Sequence, residues 1–346
     1  MLHGMSDRPN DPPVRPGEDP ARDRPRWSDL SAEQRAAEAQ EAAGGGALPA
    51  PATADAPPPP EAPTTAAPPD FATEGPATPP AAEPAPPARD PALVAQERRD
   101  YTRIGLTLFL AALQPASAGL STVFGLGRPI AEMSAASQTA VTPAAYAFAI
   151  WAPIFALSIA YAVWQALPAR RDSPLCRRIG WPLIGAFALS NLWMILAQTT
   201  ENGWHLVLVL AGVAAFALAA FLGARRAARD DGLVSRLLVA PLLGLFAGWT
   251  LPALFVNLAG AARATGAAWW TAEPTAAAML TVIAAGAAGA ALLRLSGRDV
   301  WFAGALLWAL LAILAGNLGA VSLNLPVAIA AGGMAALVAW VARPER

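Results

Sequence analysis

Beyond residue 100 the chain alternates long apolar runs with short polar breaks, and the runs have the length of a bilayer crossing. About twenty mostly apolar residues in a helix span a hydrocarbon core. Eight windows reach or approach that length, at about 104–127, 143–167, 179–199, 203–223, 236–261, 273–294, 300–316 and 320–342. The pattern predicts an all-α fold, a polytopic transmembrane helix bundle of about eight spans. The sixth window is rich in Ala and Gly and the seventh is short, so these two carry the weakest signal.

Residues 1–100 have the opposite pattern. They hold 22 of the 34 prolines, with 17 acidic and 9 basic side chains and almost no large apolar ones. Ordering a residue costs about 1–2 kcal/mol of backbone entropy, and such a sequence buries too little apolar area to offset it. A disordered N-terminal tail is expected, with Pro57–Pro60 and the Ala-Pro pairs favouring extended polyproline II, as a spacer or tether. One stretch differs: Ser31-Ala32-Glu33-Gln34 has capping-box spacing before an Ala/Glu/Gln run that Gly44 ends, a marginal helix. Met1-Leu2-His3-Gly4 precedes charged, Pro-rich sequence without an apolar h-region, so no cleavable signal peptide is expected. The domain division is therefore a tail over 1–100 and a helical membrane domain over 101–346.

Charge adds orientation. With the N-terminus inside, the inner segments carry Arg103, Arg170, Arg171, Arg177, Arg178, Arg225, Arg226, Arg229, Arg236, Arg294, Arg298, Arg343 and Arg346, whereas the outer loops carry only Arg128 and Arg263. A thirteen-to-two split that alternates with each crossing follows the positive-inside rule and favours an even number of spans. Both termini are then expected in the cytoplasm. Trp181, Trp204, Trp269, Trp270, Trp301 and Trp340 fall near span ends, where indoles anchor at headgroup level. Trp151, Trp193, Trp249 and Trp308 fall deeper, where an indole N–H needs a partner that lipid cannot give.

The same survey narrows the chemistry. All eight acidic residues after residue 100 lie in loops or at span ends, which removes the intramembrane carboxylates that proton pumps and ion-coupled antiporters use. His3 and His205 cannot pair as a haem or zinc site, and Cys176 is the single cysteine. No nucleophile elbow, zincin or phosphate-loop motif occurs. No enzymatic activity, catalytic residue, metal or cofactor is expected, and no nucleic-acid partner. What remains is polar and neutral: Gln114, Tyr146, Tyr161, Gln165, Asn191, Gln198, Asn257, Asn317 and Asn324. Interhelical hydrogen bonds would explain each of these alone.

Three segments, in order, resemble the TspO/MBR family, the tryptophan-rich sensory proteins related to the mitochondrial translocator protein. They are Thr142-Pro143-Ala144-Ala145-Tyr146-Ala147-Phe148-Ala149-Ile150-Trp151 with Phe155, Tyr161 and Trp164-Gln165; Ser190-Asn191-Leu192-Trp193; and Pro241 to Asn257, which keeps the family's eight-residue separation between Trp249 and Asn257. The compact family has five helices in about 160 residues, and the quoted segments cover roughly 104–261, with further helices over 273–342. The Phe148-to-Trp151 and Asn191-to-Trp193 spacings are each one residue shorter than in the compact members, the mark of a longer, divergent branch.

The resemblance implies a helix bundle around an aromatic-lined pocket for an apolar, planar small molecule, porphyrin- or sterol-like, serving sensing, reception or transport. It assigns the ligand-binding set Tyr146, Phe148, Trp151, Phe155, Asn191, Trp193, Trp249 and Asn257, in the inner membrane of a bacterium, with lipid as a partner and a homodimer left open. On an ideal helix Phe148, Trp151 and Phe155 share one face while Tyr146 points about 200° away from Phe148. Two other readings stay open: a carrier for a small polar solute using Asn191, Asn257, Asn317 and Asn324 near helix-breaking prolines, and a membrane scaffold acting through its proline-rich tail.

Overall fold

The computed structural model describes residues 90–136, 138–227, 232–319 and 322–344. The expectations for the tail up to residue 89, including the helix at Ser31, lie outside the described residues. Residues 91–100, expected as disordered tail, are instead helical, because they continue without a break into the first long helix and Asp100 is buried there. The long helices are α1 (Pro91–Ala118), α2 (Trp151–Ala166), α3 (Pro174–Thr199), α4 (Trp204–Ala227), α5 (Ala240–Ala264), α6 (Pro274–Leu295), α7 (Val300–Leu318) and α8 (Leu325–Val341). Each of the eight apolar windows overlaps one of them, although α1 starts thirteen residues before its window and ends at Ala118. Six helical stretches are long and apolar enough to cross a membrane, so the chain is a multi-pass membrane protein. The first and last long helices fall outside that set. In α1 the apolar run is diluted by Asp100, Arg103, Thr107, Gln114 and Ser117, all of which the fold buries, and α8 has only 17 residues.

Local sequence sets the helix ends. Asp90 accepts a hydrogen bond from the Ala92 amide and Pro91 opens α1, where its missing N–H costs nothing. Asp299 accepts from the amides of Trp301 and Phe302 to start α7, and Asn324 accepts from Val327 to start α8. Before α2 the chain forms a 3₁₀ turn, Ala145–Ile150, and before α5 a π-helical turn, Ser235–Val239.

α5 is the hub. It packs against α2, α4, α6 and α7, and 67% of its most apolar window is buried, against 39–50% in the other candidate spans. α1 lies on α2 and α3, α3 on α4, and α8 closes the far side against α6 and α7. Polar side chains stitch the bundle by bonding to carbonyls of neighbouring segments. Asn191 of α3 donates to Leu110 O of α1 at 3.0 Å, Gln198 of α3 to Ser117 O at 2.7 Å, and Asn317 of α7 to Ala140 O at 2.6 Å.

Interfacial tryptophans largely take the expected places: Trp181, Trp204, Trp269, Trp301 and Trp340 are exposed. Trp270 is the correction. It turns inward and is buried, edge-on to Trp269 at 5.7 Å, since adjacent residues lie about 100° apart around a helix and the two indoles leave it in different directions.

The crossing of α5 and α7 depends on the absence of a side chain. A Cβ at Gly248 would lie 2.6 Å from the Phe302 carbonyl oxygen and 3.0 Å from Ala305 Cβ, so backbone would have to move. Gly248→Val is expected to destabilise the protein by about 1–3 kcal/mol through overpacking. Thermal unfolding in detergent checks this, with Gly333→Ala, which meets nothing within 4 Å, as the neutral control.

Candidate functional site

Three segments far apart in sequence bring their aromatics together. Phe148 of the 3₁₀ turn and Trp151 at the start of α2 meet Trp249 of α5 edge-on, at ring separations of 6.2 Å and 6.4 Å. The 3₁₀ turn explains the spacing: residues three apart eclipse in that geometry, so Phe148 and Trp151 point the same way. From α3, Trp193 donates its indole N–H to Asn257 Oδ1 of α5 at 3.3 Å, and Asn257 donates in turn to Ala253 O. These five side chains border a cavity of about 40 Å³, with Pro252 and Ala253 of α5 and Ala309 and Ile313 of α7.

The cavity wall is almost wholly apolar, and one of its residues carries an unmet donor. Trp249 is buried, and its indole Nε1 has no hydrogen-bond partner. An orphaned donor in an apolar wall forgoes about 1–3 kcal/mol, unless a ligand or water acceptor meets it. The volume is that of roughly one water molecule. A planar macrocycle or a sterol enters only if the walls part.

The eight residues of the expected ligand set divide. Phe148, Trp151, Trp193, Trp249 and Asn257 line the cavity. Tyr146 does not: it is exposed and packs edge-on against Trp308 at 5.3 Å, because it lies two residues from Phe148 and leaves the turn on the other side. Phe155 stacks on Trp151 at 5.5 Å, one α-helical turn away, and stands behind it. Asn191 is on the α1–α3 contact, where its amide is taken up by the carbonyls of Leu110 and Phe187. Of the four asparagines of a polar-solute path only Asn257 lines this cavity; Asn317 donates to Ala140 O and Asn324 caps α8.

Sequence reasoning missed α7. Trp308 donates to Ala147 O of the 3₁₀ turn at 2.9 Å, and Ala309 and Ile313 form a cavity wall. The deep position of Trp308 was the one available signal.

It also missed a buried charge cluster at the arginine-rich end. Arg103 of α1 is fully buried; its Nη1 lies 2.9 Å from Asp100 Oδ1 and its Nη2 donates to Arg171 O at 2.5 Å. Arg177 of α3 clamps the same carboxylate, Nη2 to Oδ2 at 2.6 Å and Nε to Oδ2 at 3.1 Å. Burial alone would raise the Asp100 carboxyl, but the Arg177 hydrogen bonds and the Arg103 charge outweigh it and hold it below the ordinary carboxylate value. The space for Arg103 comes from Gly180, where a Cβ would sit 2.3 Å from Arg103 Cδ. Among the described residues no group of three or more His, Cys, Asp or Glu could hold a metal ion.

A family model described as TSPO-like protein matches residues 105–343, which extends through α6, α7 and α8 as well as the helices that carry the aromatic segments. No curated protein matches the chain. No solved structure matches it. With a match over more than half its length, the chain belongs to the TSPO-like family of membrane proteins.

Proposed function

We propose that the cleft between the 3₁₀ turn, α3, α5 and α7 binds an apolar, planar small molecule, tetrapyrrole- or sterol-like, which the protein senses or carries. The observation that supports this is convergence: five residues of three separate segments meet at one cavity, and the buried indole N–H of Trp249 faces no acceptor. The lining offers stacking and edge contacts for an aromatic or polycyclic body, each worth about 0.5–1.5 kcal/mol beyond area burial. Asn257 and Trp249 supply two polar points that fix orientation within an apolar pocket. Occupation by such a ligand widens the cleft, because about 40 Å³ admits only a methyl-sized group.

Ala253 gives the test. It lines the cavity without an aromatic ring, so Ala253→Trp should occupy the cleft itself, with the walls parting for the indole as they would for a ligand. Protoporphyrin IX and cholesterol added to the purified chain should quench tryptophan fluorescence or raise the melting temperature, and Ala253→Trp should weaken the effect at least about tenfold, some 1.4 kcal/mol. Equal responses in both proteins, or no response to either compound, would exclude this reading of the cleft.

The wider role follows the same cleft. Sensing and transport both require that the occupied state differ from the empty one, and an opening between the 3₁₀ turn and α5 supplies that difference. The location we infer is the cytoplasmic membrane of a bacterium, with the arginine-rich end of the bundle facing the cytoplasm.

A further inference from the structure

At the arginine-rich end a second cavity, of about 310 Å³, opens between the end of α4, the π-helical turn before α5 and the start of α7. Its floor is apolar, from Phe221, Val239 and Leu243, and its rim is charged, from Arg225, Arg236 and Asp299. The acid is already engaged. Asp299 Oδ1 accepts from the Trp301 and Phe302 amides and Oδ2 from Arg225 Nη1 at 3.1 Å. Arg236 is different: among the described residues it has no ion pair and no hydrogen bond, and it is exposed. Among the described residues, two arginines against one carboxylate leave the rim one positive charge, carried at Arg236.

Two observations fix the depth of this cavity. Trp301, two residues past Asp299, is exposed at the first turn of α7, where an indole marks the headgroup layer. The segment that carries Arg236 exposes Leu233, Val234 and Leu237, 69%, 45% and 63% accessible, a surface suited to acyl chains. The cavity therefore borders lipid, with apolar walls below and a cation at the rim. Within the π-helical turn Ser235 and Val239 are buried while Arg236 is exposed at the mouth.

We propose that this cavity seats the headgroup phosphate of an anionic phospholipid, with Arg236 pairing the phosphate and the Phe221, Val239 and Leu243 floor taking the first carbons of an acyl chain. Its geometry is separate from the aromatic cleft, so the two stand or fall independently. An anionic headgroup carries a net negative charge that matches the cation Arg236 places among the described rim residues, whereas a zwitterionic headgroup balances its phosphodiester with its own ammonium.

The test uses the full chain purified in neutral detergent, titrated with phosphatidylglycerol, phosphatidylcholine or inorganic phosphate, with bound lipid counted by native mass spectrometry and stability followed by melting temperature. Phosphatidylglycerol should be retained and should raise the melting temperature, and Arg236→Gln should weaken that retention about fivefold, the equivalent of about 1 kcal/mol for one arginine at a membrane surface. Arg263→Gln, at the opposite end of the bundle, should leave it unchanged. Without lipid, Arg236→Gln should melt with the wild type, since among the described residues Arg236 makes no hydrogen bond or ion pair. Should that variant fail to insert, wild-type retention must fall steeply with added salt. Equal retention of phosphatidylcholine, retention unaltered in Arg236→Gln, retention insensitive to salt, or the same stabilisation by inorganic phosphate would each overturn the proposal, the last by showing a free-phosphate site.

Discussion

Asp100→Ala should destabilise the protein by about 3–5 kcal/mol, the usual loss when a buried ion pair is broken from one side. Arg103 is fully buried and its Nε already lacks a partner, so without the carboxylate its charge would keep only the Arg171 carbonyl. The damage lies in the stranded charge rather than in the lost attraction. Asp100→Ala combined with Arg103→Met should therefore recover most of the stability, and the two effects should be strongly non-additive. Arg177, whose side chain is 40% exposed, should matter less, within about 1 kcal/mol on replacement by alanine. Chemical or thermal unfolding of the four variants in one detergent separates these outcomes. The same cluster sets an acid limit. Because the Asp100 carboxyl is held below its ordinary value, its contribution is present above about pH 4 and is lost as pH falls through the depressed folded value. Asp100→Asn should flatten that acid loss.

Trp249 gives the second large effect, and it splits by substitution. Trp249→Ala empties the centre of the aromatic nest, where Phe148 and Trp151 both meet the indole edge-on, and should cost about 3–5 kcal/mol. Trp249→Phe keeps a ring there and removes an N–H that has no partner, so its stability should stay within about 1 kcal/mol of the wild type. Binding should then report what stability does not. If the bound molecule accepts from Nε1, Trp249→Phe should lower its affinity by about three- to tenfold while the melting temperature without ligand hardly moves. Titration of both variants with protoporphyrin IX checks this; an unchanged affinity in Trp249→Phe would show that the indole N–H contacts no part of the ligand.

The helices were legible because lipid leaves the backbone few alternatives. The window at 143–167 became the 3₁₀ turn and α2 together, Ala145–Ala166, with nearly the expected bounds. Hydropathy could not show that its first turn is wound more tightly, and that turn is what lets Phe148 and Trp151 share a direction at a spacing of three. Asn191 looked like part of the cleft because it neighbours Trp193. Two residues apart on a helix means about 200° around it, so one faces α1 while the other faces α5. The charge cluster was hidden for a different reason. Asp100 fell at the end of the expected tail and Arg103 among the inner-side arginines, and only Gly180, nearly eighty residues later, makes room to bury the guanidinium. That pairing is a property of the tertiary fold.

The bond from Trp308 to the carbonyl of Ala147 bears on how this longer branch is organised. A five-helix protein with three appended helices would keep its pocket wall within the first five. Here α7 supplies part of that wall, and the close approach at Gly248 presses it onto α5. The last three helices are thus no detachable module. Selection on the ligand would act on both halves of the chain, and residues 300–318 would be expected to drift together with the aromatic turn that they brace.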